Sequence, residues 1–167
     1  MPTMEITTMV GCPLMCTFCP QDLLKKQYGK DSEKYLSLAN YKSMLAKIPN
    51  HVRIDFSGMA EPWANDDATD MLEHTLERGY RIAIYTTLYG ITVPDSERIV
   101  ALILRHADQV MDLCLHLPDI HMNMRGFKSS EEYRQVLRNF LQLGTTERFP
   151  SHRFSVMTMD KSGDIHP

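Results

Sequence analysis

Basic residues are not in excess in this chain: 18 Lys and Arg stand against 21 Asp and Glu, a formal net charge of -3. Phosphate backbones are met by positive surfaces, so this balance argues against a general nucleic-acid binder. Long apolar runs are missing too, and nothing reads as a membrane span or a signal peptide. Neither an internal repeat, a low-complexity tract nor a linker interrupts the sequence, which predicts a single domain over residues 1–167. Cysteine is scarce, four in all, and three of them share one short loop. Pairing within that loop would strand an odd thiol, so a disulfide framework is not expected and the compartment implied is reducing. What remains is the composition of an ordinary globular domain, 43% hydrophobic and 23% charged, with 12 methionines suited to filling a core or lining a pocket.

The chain is organised around Gly11-Cys12-Pro13-Leu14-Met15-Cys16-Thr17-Phe18-Cys19-Pro20, which follows a strand-like run at 6–10. The spacing is C-x3-C-x2-C. Thiolates are soft ligands that suit zinc or iron–sulfur clusters. A [4Fe-4S] cluster normally takes four cysteines, so a loop offering three leaves one iron open to a small molecule. A structural zinc site is the rival, and it would need a fourth ligand from distant Cys114 or a histidine. Cys114 itself sits in an apolar run, the setting of an inert buried thiol.

Beyond the loop, strands and helices alternate. Residues 21–39 are polar and read as an exposed loop with a short helical piece. Asn40 is the expected N-cap of a helix over 41–48, ended by Pro49-Asn50. Strands are expected at 51–56, 80–90, 108–117 and 152–159. Helices are expected from Asp66 or Asp67 to 78, over 94–106, and from a Ser129-Ser130 cap to Gly144. This βαβ rhythm predicts right-handed crossovers and a parallel sheet with helices on one outer face. Ligand-binding groups of such sheets lie at the C-terminal ends of the strands. There the sequence places the cysteine loop, the turn Gly58-Met59-Ala60-Glu61-Pro62, Thr86 or Thr87, and His116 with Asp119.

The cysteine loop, with Phe18 directly before Cys19, resembles the C-x3-C-x-aromatic-C signature of the radical S-adenosylmethionine (radical SAM) superfamily. Gly58, Glu61 and Pro62 resemble that family's G-G-E-P turn, from which Met59 and Ala60 depart. Thr86-Thr87-Leu88-Tyr89-Gly90 resembles its T-N-G strand end, and Arg125-Gly126 fits an Arg-Gly pair found before the next helix. The resemblance implies an α/β fold, a parallel-sheet partial (β/α) barrel of about five strands, its closing elements absent from this stretch. Either the stretch is a fragment, or another chain covers the open edge at the fifth strand. By the same resemblance Cys12, Cys16 and Cys19 ligate a [4Fe-4S] cluster, and the Gly58 to Pro62 segment, Phe18, Thr87 and His116 hold SAM, Glu61 taking its ammonium. The activity implied is reductive cleavage of SAM to a 5′-deoxyadenosyl radical that abstracts hydrogen from a substrate the sequence does not name. The partners implied are SAM, that substrate and an electron donor such as a flavodoxin or ferredoxin. Nucleic acid and membrane are not among them, and the location implied is cytoplasmic. A cluster- or SAM-binding module without turnover is the alternative of a different class.

Overall fold

The structure, a computed structural model, describes residues 1–29, 33–119, 121–159 and 165–166. Most of the polar stretch expected beyond the fifth strand, residues 160–164 and 167, lies outside the described residues. The sheet runs in sequence order: β1 (Thr3–Ile6), β2 (Arg53–Phe56), β3 (Ile82–Thr86), β4 (Val110–His116), β5 (Phe154–Met159) and β6 (Ile165–His166). The first five strands are parallel, and their register lines up Ile6, Phe56, Ile84, Leu113 and Phe154 in one row. Parallel neighbours need crossovers. Five helices supply them: α1 (Gln21–Gln27) and α2 (Leu38–Leu45), then α3 (Ala68–Glu77), α4 (Val93–Arg105) and α5 (Glu131–Leu141).

Alternation along the strands decides which residues meet the helices. Ile54, Phe56, Ile82, Ile84, Leu113 and Leu115 enter one core with Tyr41, Leu45, Met71, Leu72, Ile99, Ile103 and Phe140. Each such side chain contributes roughly 1.5–3 kcal/mol on burial. The intervening residues Glu5, Asp55, Tyr85 and His116 line a cavity on the opposite side. A parallel sheet covered on both faces would read as unbroken apolar runs. Among the described residues helices cover one face, and the polar second face is the inner wall of a partial (β/α) barrel.

Two expected boundaries move. β1 occupies Thr3–Ile6 instead of 6–10, because the backbone past Ile6 leaves the sheet: Leu36 N–H donates to Thr8 O at 2.9 Å and Val10 N–H to Lys34 O at 2.8 Å. Helix α2 starts one turn before the expected Asn40 cap. Ser37 is its N-cap, its Oγ accepting from Asn40 N–H at 3.3 Å, while Asn40 lies inside the first turn. Asp67 does hold the N-cap position of α3, yet its carboxylate accepts from Leu38 N–H at 2.8 Å and so joins α3 to α2. The edge expected to be open is partly covered, since β6 pairs antiparallel with β5, His166 opposite Thr158.

Candidate functional site

The cysteine loop leaves the C-terminal edge of the sheet and walls one side of a cavity of about 390 Å³. Cys12, Cys16, Phe18 and Cys19 line it, opposite Gly58 to Glu61 of the turn after β2, Thr86 and Thr87 at the end of β3, and His116 at the end of β4. The expected residues thus converge, except Pro62 and Asp119, which stand outside the lining. Pro62 begins a short 3-10 turn, Pro62–Ala64, and its carbonyl accepts from Thr8 Oγ1 at 2.9 Å.

Local hydrogen bonds shape the loop. Cys19 N–H donates to Cys16 O at 3.2 Å, and Glu61 N–H donates to the sulfur of Cys12 at 3.4 Å. Gln21 fastens the loop to the facing turn: its Oε1 accepts from Gly11 N–H at 3.1 Å while its Nε2 donates to Met59 O. Nothing in the sequence singled Gln21 out, since it opens a short polar helix. Gly58 has φ +85°, a left-handed conformation, and a Cβ there would strike the Thr7 hydroxyl. Glycine is what lets the turn approach β1 so closely.

Burial pushes the thiols of Cys12 and Cys16 upward, and the charge of the neighbouring sulfurs adds to it, so that Cys16 is pushed up to about 12. Thiols crowded in this way ionise when positive metal centres offset both penalties. Among the described residues, no three His, Cys, Asp or Glu side chains come close enough to hold a single metal ion. A cubane distributes its ligands over separate irons, and the donor set fits that group better than a zinc tetrad. Cys114 does not complete a tetrad either: it is buried in β4, in register with Tyr85 and Ser155, and does not line the cavity.

Glu61 is buried at the heart of the site, and both of its oxygens are engaged within the fold. Oε1 accepts from Thr86 Oγ1 at 2.5 Å and from Trp63 N–H at 3.5 Å. Oε2 accepts from Thr87 N–H at 2.7 Å and Thr87 Oγ1 at 2.6 Å. Burial raises its pKa and these donors pull it back down. The arrangement makes Glu61 a tie between the ends of β2 and β3. Thr86 and Thr87 act through the same tie.

His116 lies half-buried beside Tyr85, ring centroids 6.4 Å apart, and burial lowers its pKa from the ordinary 6.5. An unfolded chain therefore takes up a proton near that value before the folded one does. The stability that neutral His116 contributes is present above about pH 6.5 and is lost as pH falls toward its lowered folded pKa. A His116→Gln variant is expected to show a shallower fall in melting temperature than wild type between pH 7.5 and 5.5, read by circular dichroism. Sequence reasoning missed Glu5, Asp55 and Tyr85 in the cavity wall. Their signal was the period of two, which sets Asp55 opposite its neighbours Ile54 and Phe56.

A partial parallel barrel thus gathers three thiols of one loop, a glycine turn and polar strand ends at its C-terminal edge. The model of the radical SAM superfamily matches residues 6–159, and the chain belongs to that superfamily. The cofactors of that superfamily are a [4Fe-4S] cluster and SAM. A curated protein of Synechococcus sp. (strain RCC307), named "Probable dual-specificity RNA methyltransferase RlmN", is 28% identical over 123 residues. That match takes in 70% of this chain and 35% of the relative, so the chain spans about a third of the relative's length. A solved structure of BtrN in complex with AdoMet and 2-DOIA superposes with a TM-score of 0.51 at 14% identity. It covers 99% of this chain and 72% of BtrN, a likeness of fold. No helix among the described residues is long and apolar enough to cross a membrane.

Proposed function

We propose that this chain is a radical SAM enzyme whose cluster is held by Cys12, Cys16 and Cys19. The observation that carries the reading is their convergence, from one loop, on a cavity shared with the Gly58 to Glu61 turn and the end of β3. When bound, the cluster supplies the electron that splits the sulfonium of SAM into methionine and a 5′-deoxyadenosyl radical, which takes hydrogen from the substrate. The protein's own residues bind and orient. The backbone of Gly58, Met59 and Ala60 runs along the cavity and offers peptide groups to the amino-acid end of SAM, with Pro62 fixing the turn behind it. Phe18, 41% exposed at the rim, offers a ring face to the adenine. Thr87, tied to Glu61, keeps the end of β3 in place, and His116, neutral at pH 7, offers a hydrogen bond from the barrel wall.

The single domain over 1–167, an electron donor of the flavodoxin or ferredoxin kind and a reducing, cytoplasmic setting complete the proposal. The RNA in the relative's name is not carried over to a chain with net charge -3 that spans a third of that relative. The test is anaerobic reconstitution of the full chain with iron and sulfide, reduction with SAM present, and measurement of 5′-deoxyadenosine. Product in excess of an iron-free control is expected. Iron and sulfide bound without product would make the chain a non-catalytic module, and zinc bound without sulfide would overturn the cluster assignment.

A further inference from the structure

Residues 123–126, in the connection from β4 to α5, lie against the back of the cysteine loop. The two segments meet although Thr17 and Asn123 are 106 positions apart. Thr17 N–H donates to Asn123 O at 2.9 Å, and its hydroxyl donates to Asn123 Oδ1 at 2.9 Å. On either side, Cys16 and Met124 form an antiparallel bridge, and Gly126 N–H donates to Leu14 O at 2.8 Å. A Cβ on Gly126 would collide with the Pro13 carbonyl, so the approach is as close as backbones permit. Asn123 is itself buried and is held from behind. Its Nδ2 donates to Asp119 Oδ2 at 2.9 Å, and Asp119 Oδ1 accepts from His121 N–H at 2.7 Å. Asp119 therefore turns away from the cavity and toward Asn123.

Thr17 is the first of the two residues between the second and third cysteines. Whatever fixes Thr17 fixes the separation and orientation of Cys16 and Cys19. Outer partners of metal ligands act in this way, and a ligand loop held at one end only leaves its geometry to chance. We propose that Asp119, Asn123 and Thr17 form a strut from the barrel wall to the cysteine loop, three positioning residues that set how tightly a [4Fe-4S] cluster is retained and the symmetry of its electronic environment. The inference rests on the reading of Cys12, Cys16 and Cys19 as cluster ligands. It adds that the fourth β/α connection of the sheet governs the ligand loop of the first.

The full chain is reconstituted anaerobically as wild type, Thr17→Val, Thr17→Ser and Asn123→Ala. Iron release into EDTA is followed, together with the electron paramagnetic resonance spectrum of the reduced cluster. Thr17→Val keeps the shape of an exposed residue and removes only its hydroxyl. It is expected to release iron about tenfold faster than wild type and to broaden the spectrum, while Thr17→Ser, which restores the donor, behaves as wild type. Asn123→Ala is expected to reproduce the valine phenotype, with circular dichroism confirming a folded apoprotein. Wild-type release rates and spectra in both Thr17→Val and Asn123→Ala would overturn the strut and leave the cluster assignment standing. So would a lower apoprotein melting temperature with release and spectrum unchanged, which assigns the contacts to folding alone. A wild-type chain that takes up no iron and sulfide would overturn the cluster reading, and the strut with it.

Discussion

Replacing Glu61 by alanine is expected to lower the stability of the apoprotein by roughly 3–5 kcal/mol, a large part of the roughly 5–15 kcal/mol that holds a domain of this kind together. Four donors converge on its carboxylate: Thr86 Oγ1, Thr87 Oγ1, and the N–H groups of Thr87 and Trp63. Alanine would leave them buried and unanswered and would open a void between the ends of β2 and β3. The melting temperature would fall on the order of 10 °C. Glu61→Gln keeps one acceptor oxygen and the volume, so its loss is expected to be smaller, roughly 1–3 kcal/mol. Thermal melts of the cluster-free chain read both values. A Glu61→Gln chain that melts like wild type, yet no longer retains SAM, would return the side chain to the cofactor and sink the structural tie. The distinction matters because loss of activity on changing Glu61 would otherwise be credited to cofactor binding.

A Cys16→Ala chain, reconstituted under the same conditions as wild type, is expected to form no 5′-deoxyadenosine above the level of an enzyme-free control. Cys16 lies between the other two thiols in the loop, and both contribute, after burial, to raising its pKa. It is thus the thiol that gains most from positive irons nearby. Removal leaves two cysteines, too few to hold a cubane with an open iron firmly. The fold is expected to survive, because Cys16 is only part-buried and belongs to no strand or helix of the sheet. Iron and sulfide content, visible absorption and product are measured on one sample. Full cluster and undiminished product in Cys16→Ala would refute the ligand assignment. Cys114→Ala serves as the contrasting case, since that thiol is buried in β4 away from the cavity and its loss should leave cluster and product intact.

Much of the architecture was legible because it rests on local signals. The helix over 94–106 is found at Val93–Arg105, its cap contributed by Thr92, whose Oγ1 accepts from Asp95 N–H at 3.2 Å. Ser130 caps α5 as expected, its Oγ accepting from Tyr133 N–H at 3.0 Å. Where two segments far apart in sequence compete for a backbone, local signals fail. The run at 6–10 has the composition of a strand, but Thr8 and Val10 pair with residues 34–36 and leave the sheet one residue into that run. Gln21 carries no motif, and its role as a clamp follows only from where Met59 O comes to lie.

The sequence by itself determined the clustering of the three thiols and the order of the elements, because spacing within a loop and apolar period within a segment are local properties of the chain. Three thiols within eight residues stay neighbours in any fold. Strands separated by helices can return only as parallel neighbours in right-handed succession. What the tertiary structure decided is which polar groups are spent on holding the site and which are left for chemistry. Glu61 and Asp119 both read as ligand contacts at strand ends. Folding places Asp119 beside Asn123 and Glu61 within reach of four donors, which hold the buried Glu61 carboxylate because its desolvation would otherwise go uncompensated. His116, with only burial acting on it, is left neutral in the barrel wall. For Glu61 that division depends on its distance from Thr87, 26 positions away in the chain, and only the assembled sheet fixes it.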